Sequence, residues 1–227
     1  MKNLAGSLAE VRRIIIEIEQ KYQRNPGSVT LLAVSKKQSV NDIREAFKAG
    51  QMEFGENYLQ EAVEKITELN NPGIIWHYIG PVQSNKSRQI SELFQWVHSV
   101  DRKKIARRLN DHRPDHMQPL NICIQINISN EQSKSGSSLD ELEDLAGFCF
   151  ELPRIKLRGL MALPEPCTEL EKQRVPYRLL HDTFTRLQSA YSTLDTLSMG
   201  TSIDMEAAIA EGTTMVRIGT AIFGKRQ

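Results

Sequence analysis

The sequence predicts an α/β fold, a single closed (β/α)8 barrel of the TIM type with one extra helix at its N-terminus. Three observations lead there. Short apolar segments alternate with amphipathic segments along the chain, eight times over, after a first amphipathic stretch. The apolar segments are continuous runs such as TLLAVS, the pattern of strands covered on both faces in a parallel sheet. The 227 residues show no composition break, low-complexity tract or internal repeat that would mark a second unit. Strand–helix alternation implies right-handed crossovers, and eight such units close most economically into a barrel. An open doubly wound sheet is the alternative, because local pattern does not show closure.

Taken in order, residues 2–23 form an amphipathic helix with Leu4, Leu8, Val11, Ile15 and Ile18 on one stripe. TLLAVS is the first strand, and VNDIREAFKAG a helix closed by Gly50 just past its end. MEFG is a short strand before the helix ENYLQEAVEKITEL. IIWHYIG is the third strand, SNKSRQISELF a helix and WVHSV the fourth strand. DRKKIARRLNDH is a helix with Asp101 as its N-cap, and LNICIQINI the longest strand. SSLDELEDLAGFCFEL is a helix capped by Ser137 or Ser138, and IKLRGLMAL the sixth strand. A helix over 169–191, which Pro176 can interrupt, leads to the strand TLSMG. The short helix MEAAIAEG and the strand TTMVRIG complete the pattern.

Composition narrows the function classes. Apolar residues are 40% and charged residues 25% of the chain, which is ordinary for a globular protein and not for a disordered one. The formal net charge of +1 gives no global case for nucleic acid or an anionic membrane as partner, although it leaves a local anionic ligand open. Cys123, Cys149 and Cys167 are odd in number and contain no C-x-x-C pair, so neither a disulfide framework nor a metal site is indicated. The start MKNLAGSLAEVRRIIIEIEQ mixes charges into its apolar run, unlike a signal peptide, and no stretch has the length of a membrane span. A cytoplasmic monomer is expected.

In a barrel the chemistry sits where strands end and βα loops begin. The strand TLLAVS ends in Lys36 and Lys37. A lysine partly desolvated at that place holds more neutral amine, which can attack a carbonyl. The other reading is two surface lysines at a strand exit, and alternation alone does not choose between the pair. Ser202 precedes the helix MEAAIAEG, and Gly219 and Thr220 follow the last strand. Hydroxyls and backbone N–H groups there suit a phosphate, which barrels commonly hold after strands seven and eight; the other reading is ordinary turn glycines and an N-cap serine. Arg217 lies inside the last strand and needs a partner, either an interior carboxylate or a ligand. His77 lies inside the third strand, a satisfied core histidine or a catalyst, and Asn57 can contact a ligand at the end of the second strand or cap the next helix. Lys134 in NEQSKSG can reach a ligand from its loop or stand in solvent, and Arg102, Lys103, Lys104, Arg107 and Arg108 read as a solvated helix face.

These motifs taken together resemble one family. AVSK, FGENYLQEAVEKI, WHYIGPVQSNKSR, INISNEQSKSG, RGLMALP and MVRIGTAIFGKR read, in order, like the pyridoxal phosphate homeostasis proteins, relatives of the N-terminal barrel of bacterial alanine racemases. The resemblance implies one barrel domain over residues 1–227 that holds pyridoxal 5′-phosphate as a Schiff base. Lys36 then carries the aldehyde, Ser202, Gly219 and Thr220 bind the phosphate, and Arg217 faces the pyridine nitrogen. Asn57, His77 and Met161 match positions lining the pocket. KQS after AVSK and T-S-I-D near the second glycine turn depart from the commoner family pattern, but Ser202 and Asp204 are kept.

The resemblance also shapes the functional expectation. An arginine at the pyridine nitrogen opposes its protonation and weakens the cofactor as an electron sink. Alanine racemases take a second base from a further domain, and this sequence ends at Gln227 soon after its last strand. A non-catalytic protein of vitamin B6 homeostasis is therefore expected, with PLP-dependent apoenzymes as candidate partners and a weak amino-acid racemase as the alternative.

Overall fold

Each apolar run becomes one strand. The computed structural model describes residues 3–129 and 135–224. Its strands are β1 (Thr30–Val34), β2 (Glu53–Glu56), β3 (Ile75–Tyr78), β4 (Trp96–Val100), β5 (Leu120–Ile126), β6 (Ile155–Ala162), β7 (Thr196–Ser198) and β8 (Met215–Ile218). They pair in parallel in sequence order and close, with β1 against β8 and Leu32 opposite Arg217. Closure removes the exposed edges that an open sheet would keep, so the doubly wound alternative is set aside.

The helices are α1 (Leu4–Lys21), α2 (Val40–Lys48), α3 (Leu59–Leu69), α4 (Ser87–Leu93), α5 (Lys103–His112), α6 (Leu142–Phe150), α7 (Leu170–Gln188), α8 (Met205–Ala210) and α9 (Thr220–Phe223). The extra helix α1 buries Leu4, Leu8, Val11 and Ile15 and packs against α2, α8 and α9. Its buried Glu19 accepts hydrogen bonds from Gly27 N and Val29 N, both at 2.8 Å, and so fastens the helix to the entry of β1. Leu31 and Ala33 join the apolar shell between sheet and helices, while Val34 on the other side of the pleat faces the interior cavity.

Several boundaries differ from the sequence reading. Glu56 belongs to β2 and α3 begins only at Leu59, which leaves Asn57 in the loop at the barrel mouth. Asp101 does not cap α5; its carboxylate accepts from Arg102 Nη1 at 2.7 Å, one residue before the helix. Ser138 Oγ accepts from Glu141 N at 3.3 Å, so the serine organises the turn before α6 instead of its first residue. Pro176 does not break α7. The proline lacks only its own N–H, and Tyr177, Leu180, Phe184 and Leu187 keep the buried face of the helix continuous past it. A short helix, α9, follows β8 where only a turn was expected.

Candidate functional site

The C-terminal ends of the strands surround a cavity of about 240 Å3. Lys36, Asn57, Met161, Ser202, Arg217, Gly219 and Thr220 all line it. An adjoining recess of about 310 Å3 shares Asn57, Ile79 and Leu163 with it and extends toward Gln125 and Asn127. His77 lines neither; it lies in the barrel interior with no solvent exposure. Lys134 lies outside the described residues.

The two lysines at the end of β1 are sorted by their surroundings. Lys36 is half-buried and lines the cavity, whereas Lys37 is exposed and does not. Lys37 has a left-handed backbone, φ 61°, a conformation that costs a non-glycine residue on the order of 1 kcal/mol and needs local support. The support comes from α3. Lys37 N donates to the Glu61 carboxylate. Lys65, one turn further along α3, donates to Ser35 O at 2.7 Å and to Glu56 Oε1 at 2.8 Å, and also to Glu61. Ser35 Oγ donates to the same Glu56 oxygen at 2.6 Å. The residues on either side of Lys36 are thus clamped from behind by a buried ion cluster. Burial raises the Glu56 carboxyl pKa, and Lys65 pulls it back down.

At the opposite wall, the turn between β7 and α8 is organised by Asp204. Its carboxylate accepts from Thr201 N at 2.6 Å, Thr201 Oγ1 at 2.8 Å and the Tyr177 hydroxyl at 2.7 Å. Burial pushes the Tyr177 phenol up, and the neighbouring Asp204 charge adds to it. Ser202, the next residue of this turn, lines the cavity together with Gly219 and Thr220 at the start of α9. At Gly219 a Cβ would stand 3.2 Å from Val34 O, a tight contact that the glycine avoids.

Arg217 is buried, and what meets its guanidinium among the described residues is not the interior carboxylate that the sequence offered as one partner. Its guanidinium donates to Ser198 O, to Ser198 Oγ at 2.8 Å and to Ala162 O at 2.9 Å. Burial lowers its pKa, while Tyr177 and Asp204 oppose that shift. Among the described residues, the buried Asn57 Oδ1 has no protein hydrogen-bond partner, which leaves a polar group for a ligand. Cys123 and Cys149 are buried, with thiols pushed up to about 12 by burial, and behave as small apolar residues.

Sequence reasoning missed the supports behind the site. Lys65 reads as an ordinary polar position on an amphipathic helix, and Tyr177 as one more apolar residue of α7. Asp204 was visible in T-S-I-D, but its role in holding Thr201 was not. His98 carried no signal beyond its place inside the strand WVHSV.

Fold and site define a class: a (β/α)8 barrel that sets a half-buried amine, a buried guanidinium and an anion-accepting turn around one small cavity, a layout suited to a phosphorylated carbonyl compound. Residues 8–227 match the family model for the alanine racemase N-terminal domain. The chain is 54% identical over 229 residues to the pyridoxal phosphate homeostasis protein of Escherichia coli (strain K12), covering 100% of this chain and 98% of that protein. The chain belongs to the pyridoxal phosphate homeostasis protein family. Among solved structures, PipY of Synechococcus elongatus PCC7942, determined with PLP bound, is similar at a TM-score of 0.85 and 34% identity over 98% of this chain and 100% of that one. Alanine racemase of Corynebacterium glutamicum shares the fold, at a TM-score of 0.69 and 15% identity, and this chain covers 60% of its length. Among the described residues no helix is long and apolar enough to cross a membrane, and no cluster of ligands suits a metal ion.

Proposed function

We propose that residues 1–227 act as one cofactor-binding unit that holds pyridoxal 5′-phosphate through a reversible Schiff base to Lys36 and serves vitamin B6 homeostasis in the cytoplasm without catalysing turnover. The observation that carries this reading is the convergence of Lys36, Arg217 and the Ser202–Gly219–Thr220 group on one cavity. Bound pyridoxal phosphate supplies an aldehyde for an amine and a ring that can act as an electron sink.

The residues present suit that group. Ser202 and Thr220 would donate hydrogen bonds to its phosphate, with the N–H groups of Thr220 and Ala221 at the start of α9, and Gly219 sets no side chain in the way. Lys36 is the attachment point, and Lys37 stays in solvent. Met161 and Val34 exclude water from the ring's flank, and Asn57 offers it a polar contact. Arg217 is assigned to the pyridine nitrogen, where its charge disfavours a ring proton and so restrains amino-acid chemistry. His77 has no direct contact in this assignment. A monomer that gives its cofactor to apoenzymes completes the reading.

The test is a borohydride-reduced adduct mapped by peptide mass. It should fall on Lys36, and Lys36→Ala should abolish it there; a wild-type adduct confined to Lys37, or colourless protein after incubation with pyridoxal phosphate, would reject the site. Sustained loss of chirality from L-amino acids would favour the racemase alternative, and transfer to an apo-transaminase that stops when a dialysis membrane separates the two proteins would support delivery by contact.

A further inference from the structure

Below the cavity, the barrel interior holds a run of polar side chains that the proposed function leaves unused. Arg217 Nη1 on β8 lies 2.8 Å from Ser198 Oγ on β7, which lies 2.8 Å from His98 Nδ1 on β4. His98 Nε2 is 2.9 Å from His77 Nδ1 on β3, and His77 Nε2 is 3.5 Å from Glu53 Oε2 on β2. Ser198, His98 and His77 have no solvent exposure. The His77 ring stacks on Trp96 with centroids 5.4 Å apart and planes 9° from parallel, so its orientation is held by packing as well. Each of these groups lost its water on burial, a cost that aliphatic side chains would not incur.

We infer that Ser198, His98 and His77 form a one-way hydrogen-bond column that positions Arg217 in the cavity floor. What Arg217 meets in that cavity rests on the pyridoxal phosphate reading; the column itself is read from the protein alone. The direction follows from counting donors and acceptors. A guanidinium only donates, so Ser198 Oγ accepts from Arg217. The Ser198 hydroxyl proton then goes to His98 Nδ1, the further group within its reach. His98 therefore carries its own proton on Nε2 and gives it to His77 Nδ1. His77 in turn carries its proton on Nε2, which lies 3.5 Å from Glu53 Oε2 with no hydrogen bond formed between the two buried atoms.

The reverse order leaves the Ser198 proton without an acceptor among the described residues. Burial holds both imidazoles below the usual histidine range, His77 at about 3, so neither ring holds a second proton that would break the sequence. The outcome at the top is mechanical: Ser198 is fixed from below by a ring that cannot turn, and Arg217 is fixed by Ser198. Ser198 and the two histidines are positioning residues, because they act through Arg217.

Nitrogen NMR of the imidazole rings in the ligand-free protein tests the column directly. Both rings should be neutral with the proton on Nε2 from about pH 6 to 8, where a free histidine titrates. A proton on Nδ1 of either ring, or a cationic ring in that range, overturns it. The second arm loads Ser198→Ala and Ser198→Thr with pyridoxal 5′-phosphate. Loss of one hydrogen bond to a charged group predicts roughly tenfold faster loss of the cofactor on dialysis from the alanine variant, and a shifted absorbance band. The threonine variant keeps the hydroxyl and should lie near the wild type. An alanine variant equal to the wild type in both readouts overturns the positioning role, while the yellow wild type still supports cofactor binding. If the wild type takes up no cofactor, that reading fails instead, and the ring-nitrogen pattern alone decides the column; it also decides if Ser198→Ala does not fold.

Discussion

Replacing Lys65 by methionine removes a buried ammonium and leaves its acceptors behind. The Lys65 side chain is 5% exposed and Glu56 0%, so neither charge has water to fall back on. Breaking a buried pair by deleting one partner costs about 3–5 kcal/mol. For a chain of this size that corresponds to about 6–20 °C in Tm. The cost depends on pH in a definite sense. Burial already raises the Glu56 pKa and Lys65 opposes the rise, so without Lys65 it climbs further. A carboxyl with a raised folded pKa has its full stability below the unfolded value, about 4.3, and loses it as pH rises through the folded value. The deficit of Lys65→Met should therefore be larger at about pH 8 than at about pH 5. Urea melts followed by circular dichroism measure it, and Lys65→Met/Glu56→Gln should recover part of the loss by removing the stranded charge. Because the cluster also holds Ser35 and Lys37, the single variant should retain pyridoxal phosphate less well. A loss under about 1 kcal/mol with no pH dependence would refute the view that this cluster is a desolvated clamp.

Three further perturbations probe other parts of the structure. The folded pKa of His77 is depressed to about 3, so its contribution is complete above 6.5 and is lost as pH falls toward the folded value. About 2 kcal/mol should be gone by pH 5, visible as a lower urea midpoint that His77→Phe makes less pH-dependent, and an unchanged slope in that variant would count against a neutral buried ring. Asp204→Ala should cost about 1–3 kcal/mol by leaving the Tyr177 hydroxyl unpaired, and should weaken retention of inorganic phosphate or pyridoxal phosphate by loosening the Thr201–Ser202 turn, as equilibrium dialysis would report. Gly80→Ala would set a Cβ 2.0 Å from Asn57 O, so the β3 exit or the Asn57 loop must shift; thermal melting should fall by several degrees, and an unaltered Tm would show that the backbones are further apart than described here.

The barrel was legible because its strands are buried on both faces. TLLAVS and LNICIQINI stand out from their flanks without any alternation to decode, and the strands β1 and β5 fall where those runs do. Helix ends were less legible wherever a tertiary contact decides them. Glu56 looks like the first acid of a helix, yet it is drawn into β2 by Lys65 and Ser35. Asp101 has the composition of an N-cap but is engaged by Arg102. The histidines were ambiguous for a related reason: His77 and His98 are separated by 21 residues, and only the pairing of β3 with β4 brings His77 Nδ1 and His98 Nε2 to 2.9 Å.

The choice between Lys36 and Lys37 shows where periodicity stops. Alternation along β1 groups Lys36 with Leu32 and Val34, but the strand ends at Val34, and the left-handed backbone at Lys37 is not part of a pleat. What turns Lys36 inward is therefore not the strand but α3, through Glu61 on the Lys37 amide and Lys65 on the Ser35 carbonyl. In EAVEKI these two residues stand four apart on one helix face, the spacing of an ordinary solvent-exposed ion pair. Their partners lie in the β1–α2 loop, more than twenty residues upstream, so no local window contains the contact. A cavity lysine set this way depends on the docking of a neighbouring helix. Loosening α3 should then release Lys36 from its position even with every residue that lines the cavity intact.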